Sequence, residues 1–153
     1  MKKSLIAPVV LGALALAVGG CATPPAATSA SPSASAATSV AQSDFKACMV
    51  SDAGGFDDKS FNETAYAGLT KAVNELGVQK AEVQSSVAAD YAKNVQAMVD
   101  AKCDTIVTVG FALGDATAAA AKKNPNIKFA IVDFAYSDDK GKNTAEKNVK
   151  GLV

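Results

Sequence analysis

Four short runs of apolar and β-branched residues recur after residue 44: KACMVSD (46–52), AEVQSS (81–86), DTIVTVG (104–110) and IKFAIVD (127–133). Their near-continuous hydrophobicity predicts strands covered on both faces. Between them the period changes to that of a helix. Residues 61–76 place Ala65, Leu69, Ala72, Val73 and Leu76 on one face, and Gly77 follows as a left-handed cap. Ser60 and Glu63 have the spacing of a capping box at its start. A second helix is predicted over 90–101, carrying Tyr91, Val95, Met98 and Val99, and a third over 113–123, stopped by Pro125.

Strands alternating with helices at this spacing imply an α/β fold: a parallel sheet with right-handed crossovers and helices on both faces. The predicted strand order is 2-1-3-4. The closing NVKGLV reads as the opening of a fifth strand, so a fragment, the amino-terminal part of a longer domain, is expected. Three strands finish on residues unusual for a core, namely Asp52, Gly110 and Asp133. In a parallel sheet those ends share one edge, and ligands of open α/β folds bind where neighbouring crossovers diverge. That crevice falls between the first and third strands, next to Phe61, Asn62 and Phe111.

The amino terminus has a different character. Lys2 and Lys3 precede an apolar run from Leu5 to Val18, too short to span a bilayer comfortably, and then Gly19, Gly20 and Cys21. This is the layout of a secretion signal over residues 1–20, and VGGC resembles a bacterial lipobox in which Cys21 is lipidated. Residues 22–43 are almost entirely Ala, Ser, Thr and Pro, with too little apolar bulk to offset the entropy of ordering. They predict a flexible tether with an r.m.s. span of about 25 Å. One modest domain of about 110 residues remains, residues 44–153.

Composition then narrows the chemistry. The 15 basic residues balance 15 acidic ones, all of the basic residues are lysine, and histidine is absent. Ser-His-Asp catalysis, His-based zinc sites and Arg-guanine readout therefore have no parts. No basic block points to nucleic acid. Catalysis is not expected, nor any metal or cofactor, because no nucleophile sits beside a base in sequence.

The crevice offers an aromatic face, a carboxamide and two carboxylates that only accept. A planar heterocycle with N–H donors satisfies these together, whereas a phosphate would be repelled by the acids. Simpler roles stay open at this point. Phe61 could staple the helix start, Asp52 could bond its own turn, and Phe111 could be core. Asp57 and Asp58 read as turn residues or partners of the helix dipole. Asp133 at the end of an apolar strand calls for a specific donor.

The ordered residues Asp52, Gly54, Gly55, Asp58, Ser60, Phe61, Asn62 and Gly68, in DAGGFDDKSFNETAYAG, resemble the signature of the basic membrane protein family. TIVTVGFAL, NPNIKFAIVD and NVKGLV continue the likeness through the rest of the chain. These are substrate-binding lipoproteins of ABC transporters for purine and related nucleosides. The resemblance implies a two-lobed, type I periplasmic-binding-protein fold of which this chain is the amino-terminal lobe. It further implies that Phe61 stacks on the base, that Asn62 and Asp133 hydrogen-bond its edge, and that Asp52 lines the pocket above a floor of Gly110 and Phe111. The implied partners are a nucleoside, an ABC permease and its ATPase, and the extracytoplasmic face of the cell membrane through Cys21; a monomer is expected. A protein of the same fold that binds a sugar or another small polar solute, or a surface lipoprotein acting as adhesin or sensor without transport, remains as an alternative.

Cys48 lies early in the first strand and Cys103 directly precedes the third. The proposed order makes those starts neighbours, so a disulfide is expected in an oxidising compartment. The alternative is two small buried apolar side chains.

Overall fold

The computed structural model describes residues 40–153. The signal-peptide reading, lipidation at Cys21 and nearly all of the tether lie outside the described residues. Elements follow in the order β1 (Lys46–Ser51), α1 (Phe61–Leu76), β2 (Gln79–Gln84), α2 (Tyr91–Asp100), β3 (Thr105–Val109), α3 (Gly114–Lys123), β4 (Lys128–Val132) and β5 (Val149–Leu152). Single 3-10 turns at Ala88–Asp90 and Phe111–Leu113 lead into α2 and α3. Among the described residues no helix is long and apolar enough to cross a membrane.

All five strands pair in parallel, in the order β2-β1-β3-β4-β5. Because side chains alternate along a strand, β1 feeds two cores at once. Met49 meets Leu69 and Val109 on the face covered by α1. Cys48 and Val50 join Val95, Met98, Ile106, Leu113 and Ile131 on the face covered by α2 and α3. Inside that second layer the hydroxyls of Thr108 and Thr117 lie 2.8 Å apart; Thr108 donates to Thr117, which donates in turn to Leu113 O (2.9 Å), so neither buried polar group is orphaned.

Three local expectations change. First, β2 runs over Gln79–Gln84 rather than 81–86 and alternates between half-buried and exposed residues. It is an edge strand: Ala81 and Val83 pack on the α2 side, while Lys80, Glu82 and Gln84 stay exposed beside Tyr66 and Phe56. Second, the Ser60 side chain makes no capping bond. Asp58 does that work instead, its carboxylate accepting from the backbone N–H groups of Ser60 (2.8 Å), Asn62 (3.3 Å) and Glu63 (3.1 Å). Third, Leu76, assigned to the packed face of α1, is 65% exposed.

Gly77 closes α1 at φ 67, as its sequence position predicts. Cys48 and Cys103 are joined as a disulfide with their Cα atoms 5.9 Å apart, both buried beneath α2.

Candidate ligand-binding edge

The carboxyl ends of the strands are tied together in a staircase. Asp52 N–H donates to Val109 O (3.1 Å), Gly110 N–H to Val132 O (3.1 Å) and Asp133 N–H to Leu152 O (2.8 Å). Each residue that follows a strand is thereby anchored to the last residue of the next one. The backbone itself thus sets Asp52, Gly110 and Asp133 along a single edge.

Asp52 occupies the joint between β1 and β3. Its Oδ1 accepts from Gly54 N–H (3.0 Å) and from Asn62 Nδ2 (2.9 Å). Its Oδ2 lies against Gly110, whose φ of 106 is closed to most side chains and whose missing Cβ leaves room for the carboxylate. Asn62 is only 3% exposed. Its other Nδ2 hydrogen goes to Asp58 Oδ2 (2.9 Å), and its Oδ1 has no partner among the described residues. The carboxamide thus has both donors engaged and a buried oxygen, and no free donor is left for a ligand.

Burial works to raise the Asp58 pKa, but the N–H groups of Glu63 and Ser60 and the side chain and backbone of Asn62 outweigh it. The carboxyl is held below its ordinary value, so at neutral pH Asp58 is an anion at the amino terminus of α1, where the helix dipole also favours negative charge. Asp57 beside it is exposed.

Phe61 opens α1 and is 55% exposed; Phe111 follows Gly110 and is 65% exposed. Neither belongs to the core. Asp133 adopts φ 65, a left-handed conformation that aspartate tolerates better than most residues. Among the described residues its carboxylate accepts no hydrogen bond, so the donor expected for it is not supplied by this chain's own neighbours. The structure therefore brings Asp52, Asn62 and Gly110 into contact. It sets Phe61, Phe111 and Asp133 at the same carboxyl edge.

That edge is an open ledge. A concavity of about 520 Å³ lies elsewhere, against β5 between Lys128 and Lys150. Its lining by Lys128, Lys147 and Lys150 suits an aromatic ligand poorly.

Sequence reasoning missed the supports of the glycine loop. Gln84 Oε1 accepts from Phe56 N–H (3.0 Å), and the Phe56 ring stacks on Tyr66 with centroids 4.7 Å apart. A glutamine ending an edge strand gave no hint of this. It also left Asp58 as a generic turn acid, although the two hydrogen bonds that position Asn62 run to Asp52 and to Asp58.

Comparison with known proteins gives a consistent picture. The family model described as ABC transporter substrate-binding protein PnrA-like matches residues 45–152. A protein of Lactococcus lactis described as an ABC transporter nucleoside-binding protein is 35% identical over 150 residues, which are 95% of this chain and 40% of that protein. Basic membrane protein A of Borreliella burgdorferi is 38% identical over 86 residues, 56% of this chain and 25% of the relative. The chain thus spans well under half the length of these relatives. A solved ABC transporter solute-binding protein from Aeropyrum pernix superposes with a TM-score of 0.59 at 28% identity, covering 70% of this chain and 28% of that one.

Proposed function

The chain belongs to the family of PnrA-like ABC transporter substrate-binding proteins, and from that premise we propose that it forms the nucleoside-contacting lobe of a lipid-anchored importer component. The observation that carries this reading is the pair of exposed aromatic rings, Phe61 and Phe111, on the edge that also holds Asp52 and Asp133. A large apolar ring left in water at the mouth of an α/β crevice is explained by a ligand that covers it. The description of the Lactococcus relative as nucleoside-binding supports the same ligand class.

In this reading the base stacks on Phe61, with Gly110 and Phe111 beneath it. Its N–H groups donate to Asp133 and to Asp52 Oδ2, while Asn62, its own Oδ1 buried, holds Asp52 in place beneath the base. The carboxylates of Asp52 and Asp133 make the edge rich in acceptors, which favours bases that carry ring or exocyclic N–H donors. A second lobe beyond residue 153 closes over the other face of the base, and the closed form docks on a permease served by an ATPase. Cys21 holds the protein, as a monomer, at the extracytoplasmic face of the membrane.

Calorimetry with inosine, guanosine, adenosine, cytidine and ribose tests this, on the chain extended through the second lobe and on the chain as it stands. Purine-specific heat in the extended form is expected. Binding of ribose without nucleosides would move the assignment to sugars. A folded extended form that binds none of these compounds overturns the ligand reading.

A further inference from the structure

The Asp52 carboxylate is held at the ligand edge through its Oδ1, which accepts from Asn62 Nδ2 (2.9 Å) and from Gly54 N–H (3.0 Å). The two donors differ in how firmly they are placed. Asn62 is buried and bonded to two carboxylates, whereas the glycine loop is exposed at Ala53 and Gly54 and closes on itself through Gly55 N–H to Asp52 O (3.2 Å). Whatever restrains this loop also decides where the second oxygen, Oδ2, points.

The restraint comes from β2. Gln84 Oε1 accepts from Phe56 N–H (3.0 Å) and lies so near Gly55, at φ 72, that a Cβ there would come within 2.5 Å of it. A second link from the same strand ends on the same loop residue. Lys80 Nζ donates to the Tyr66 hydroxyl (2.8 Å), which donates to Glu82 Oε1 (3.0 Å), and the Tyr66 ring stacks on Phe56. The end of β2 is itself anchored on both sides. Ser85 N–H donates to Ser51 O (3.3 Å), and Asn94, buried on α2, donates from Nδ2 to Gln84 O (3.2 Å) and to Ser85 Oγ (3.0 Å). Stability gives little reason for the Gln84 bond, because both the residue and the bond are exposed and water can replace the acceptor at small cost.

We propose that Gln84 is a positioning residue of the ligand edge: by holding Phe56 N–H it fixes the glycine loop, and through Gly54 N–H the loop fixes Asp52 with Oδ2 turned toward the base. This rests on the reading of Asp52 as a ligand contact. Gln84 itself touches no part of the base. A carboxylate already held in one orientation accepts from a base N–H without first losing that freedom, so the restraint raises affinity without adding a contact. Release of the loop leaves Asn62 as the remaining donor to Oδ1 and lets the carboxylate turn about it.

The test uses the chain extended through its second lobe and guanosine, whose base carries ring and exocyclic N–H donors. Gln84→Met keeps the length of the side chain and removes the acceptor. It should weaken guanosine binding roughly 2- to 12-fold, the range of one net hydrogen bond. The denaturant midpoint should stay unchanged, and hydrogen exchange at Gly54 N–H, measured without ligand, should become faster. Gln84→Glu, which restores an acceptor, should recover both the affinity and the slow exchange. In an Asp52→Asn background, Gln84→Met should weaken binding by less than it does in the parent protein. Guanosine binding untouched by Gln84→Met overturns the proposal. So does an affinity loss that leaves Gly54 exchange unchanged, follows a lowered midpoint, is not recovered by glutamate, or is equally large in the Asp52→Asn background. Those outcomes remove this proposal alone, whereas a folded parent protein that binds no guanosine overturns the acceptor-edge reading and this proposal together.

Discussion

The carboxylate of Asp52 lies directly against Gly110, across the joint between the first and third strands. Gly110 has φ 106, and a Cβ built there would overlap Asp52 Oδ2 and Cγ, so two independent constraints demand glycine. Gly110→Ala should cost about 1–3 kcal/mol from backbone strain, with further loss as Asp52 is displaced. Gly68 provides the contrast, since it sits inside α1 with nothing within 4 Å of its would-be Cβ. Gly68→Ala should stabilise the fold by roughly 0.5–1 kcal/mol. Urea unfolding of the two variants checks both signs, and an unaffected Gly110→Ala protein would contradict the description of the crevice.

Asp58 should behave as the cap of α1 and as the holder of Asn62. Its folded-state pKa is depressed, so its contribution is fully present above the ordinary carboxylate value near 4 and is lost as pH falls through the folded value. At neutral pH, Asp58→Ala should lower Tm by about 4–8 °C, the scale of a lost cap in a domain this size. Asp58→Asn, which keeps an acceptor but not the charge, should fall between that variant and the wild type. Melting curves should show the gap between wild type and Asp58→Asn closing in acid. A gap independent of pH would remove the charge from the account.

The same residue shows where the sequence was legible and where it was not. The sheet order, and the helix running from Phe61 to a glycine cap, follow from periodicities repeated over many residues. The cap itself was assigned to Ser60 and Glu63 because that spacing is a local pattern. The actual acceptor stands two residues upstream of Ser60, in a turn whose course depends on Asp52 and Gln84. β2 was misplaced for a related reason. Its Gln-Lys-Ala-Glu-Val-Gln alternation belongs to an edge strand with one exposed face, and its first two positions, Gln79 and Lys80, are both polar although only Lys80 is on that face. At the candidate site the residue types were readable, but the direction of the Asn62 amide was not. Three-dimensional placement of two carboxylates decides it.

Cys48 and Cys103 are separated by 55 residues and are joined beneath α2. Constraint of the unfolded chain by such a loop is worth about 4 kcal/mol in the chain-entropy account. Replacing both cysteines by alanine, or unfolding in the presence of a reductant, should lower stability by that order and move the denaturant midpoint accordingly. Because both residues are buried against Val95 and Ile106, the alanine pair also loses packing and should be the weaker of the two forms. A midpoint indifferent to reductant would return the two residues to the role of small apolar core side chains.

Exposure separates the ring positions from the rest of the site. Asp58 and Gly110 are built into the fold, so their substitution changes stability and binding together. Phe61 and Phe111 are mostly in water and lie outside both hydrophobic clusters. Alanine at either should change unfolding free energy by no more than about 0.5 kcal/mol, as for an ordinary surface site. Stacking of an aromatic on a base is worth about 1–3 kcal/mol, so nucleoside affinity should fall roughly 5- to 150-fold for the ring that makes the stack. Phe61→Tyr should restore most of that loss, because the stacking face is retained. The discriminating measurement is denaturant unfolding beside calorimetric titration on the same preparations of the chain extended through its second lobe. A Phe61→Ala protein that loses stability and keeps its nucleoside affinity would make the ring a packing element and leave Phe111 and the acceptor edge to account for the ligand.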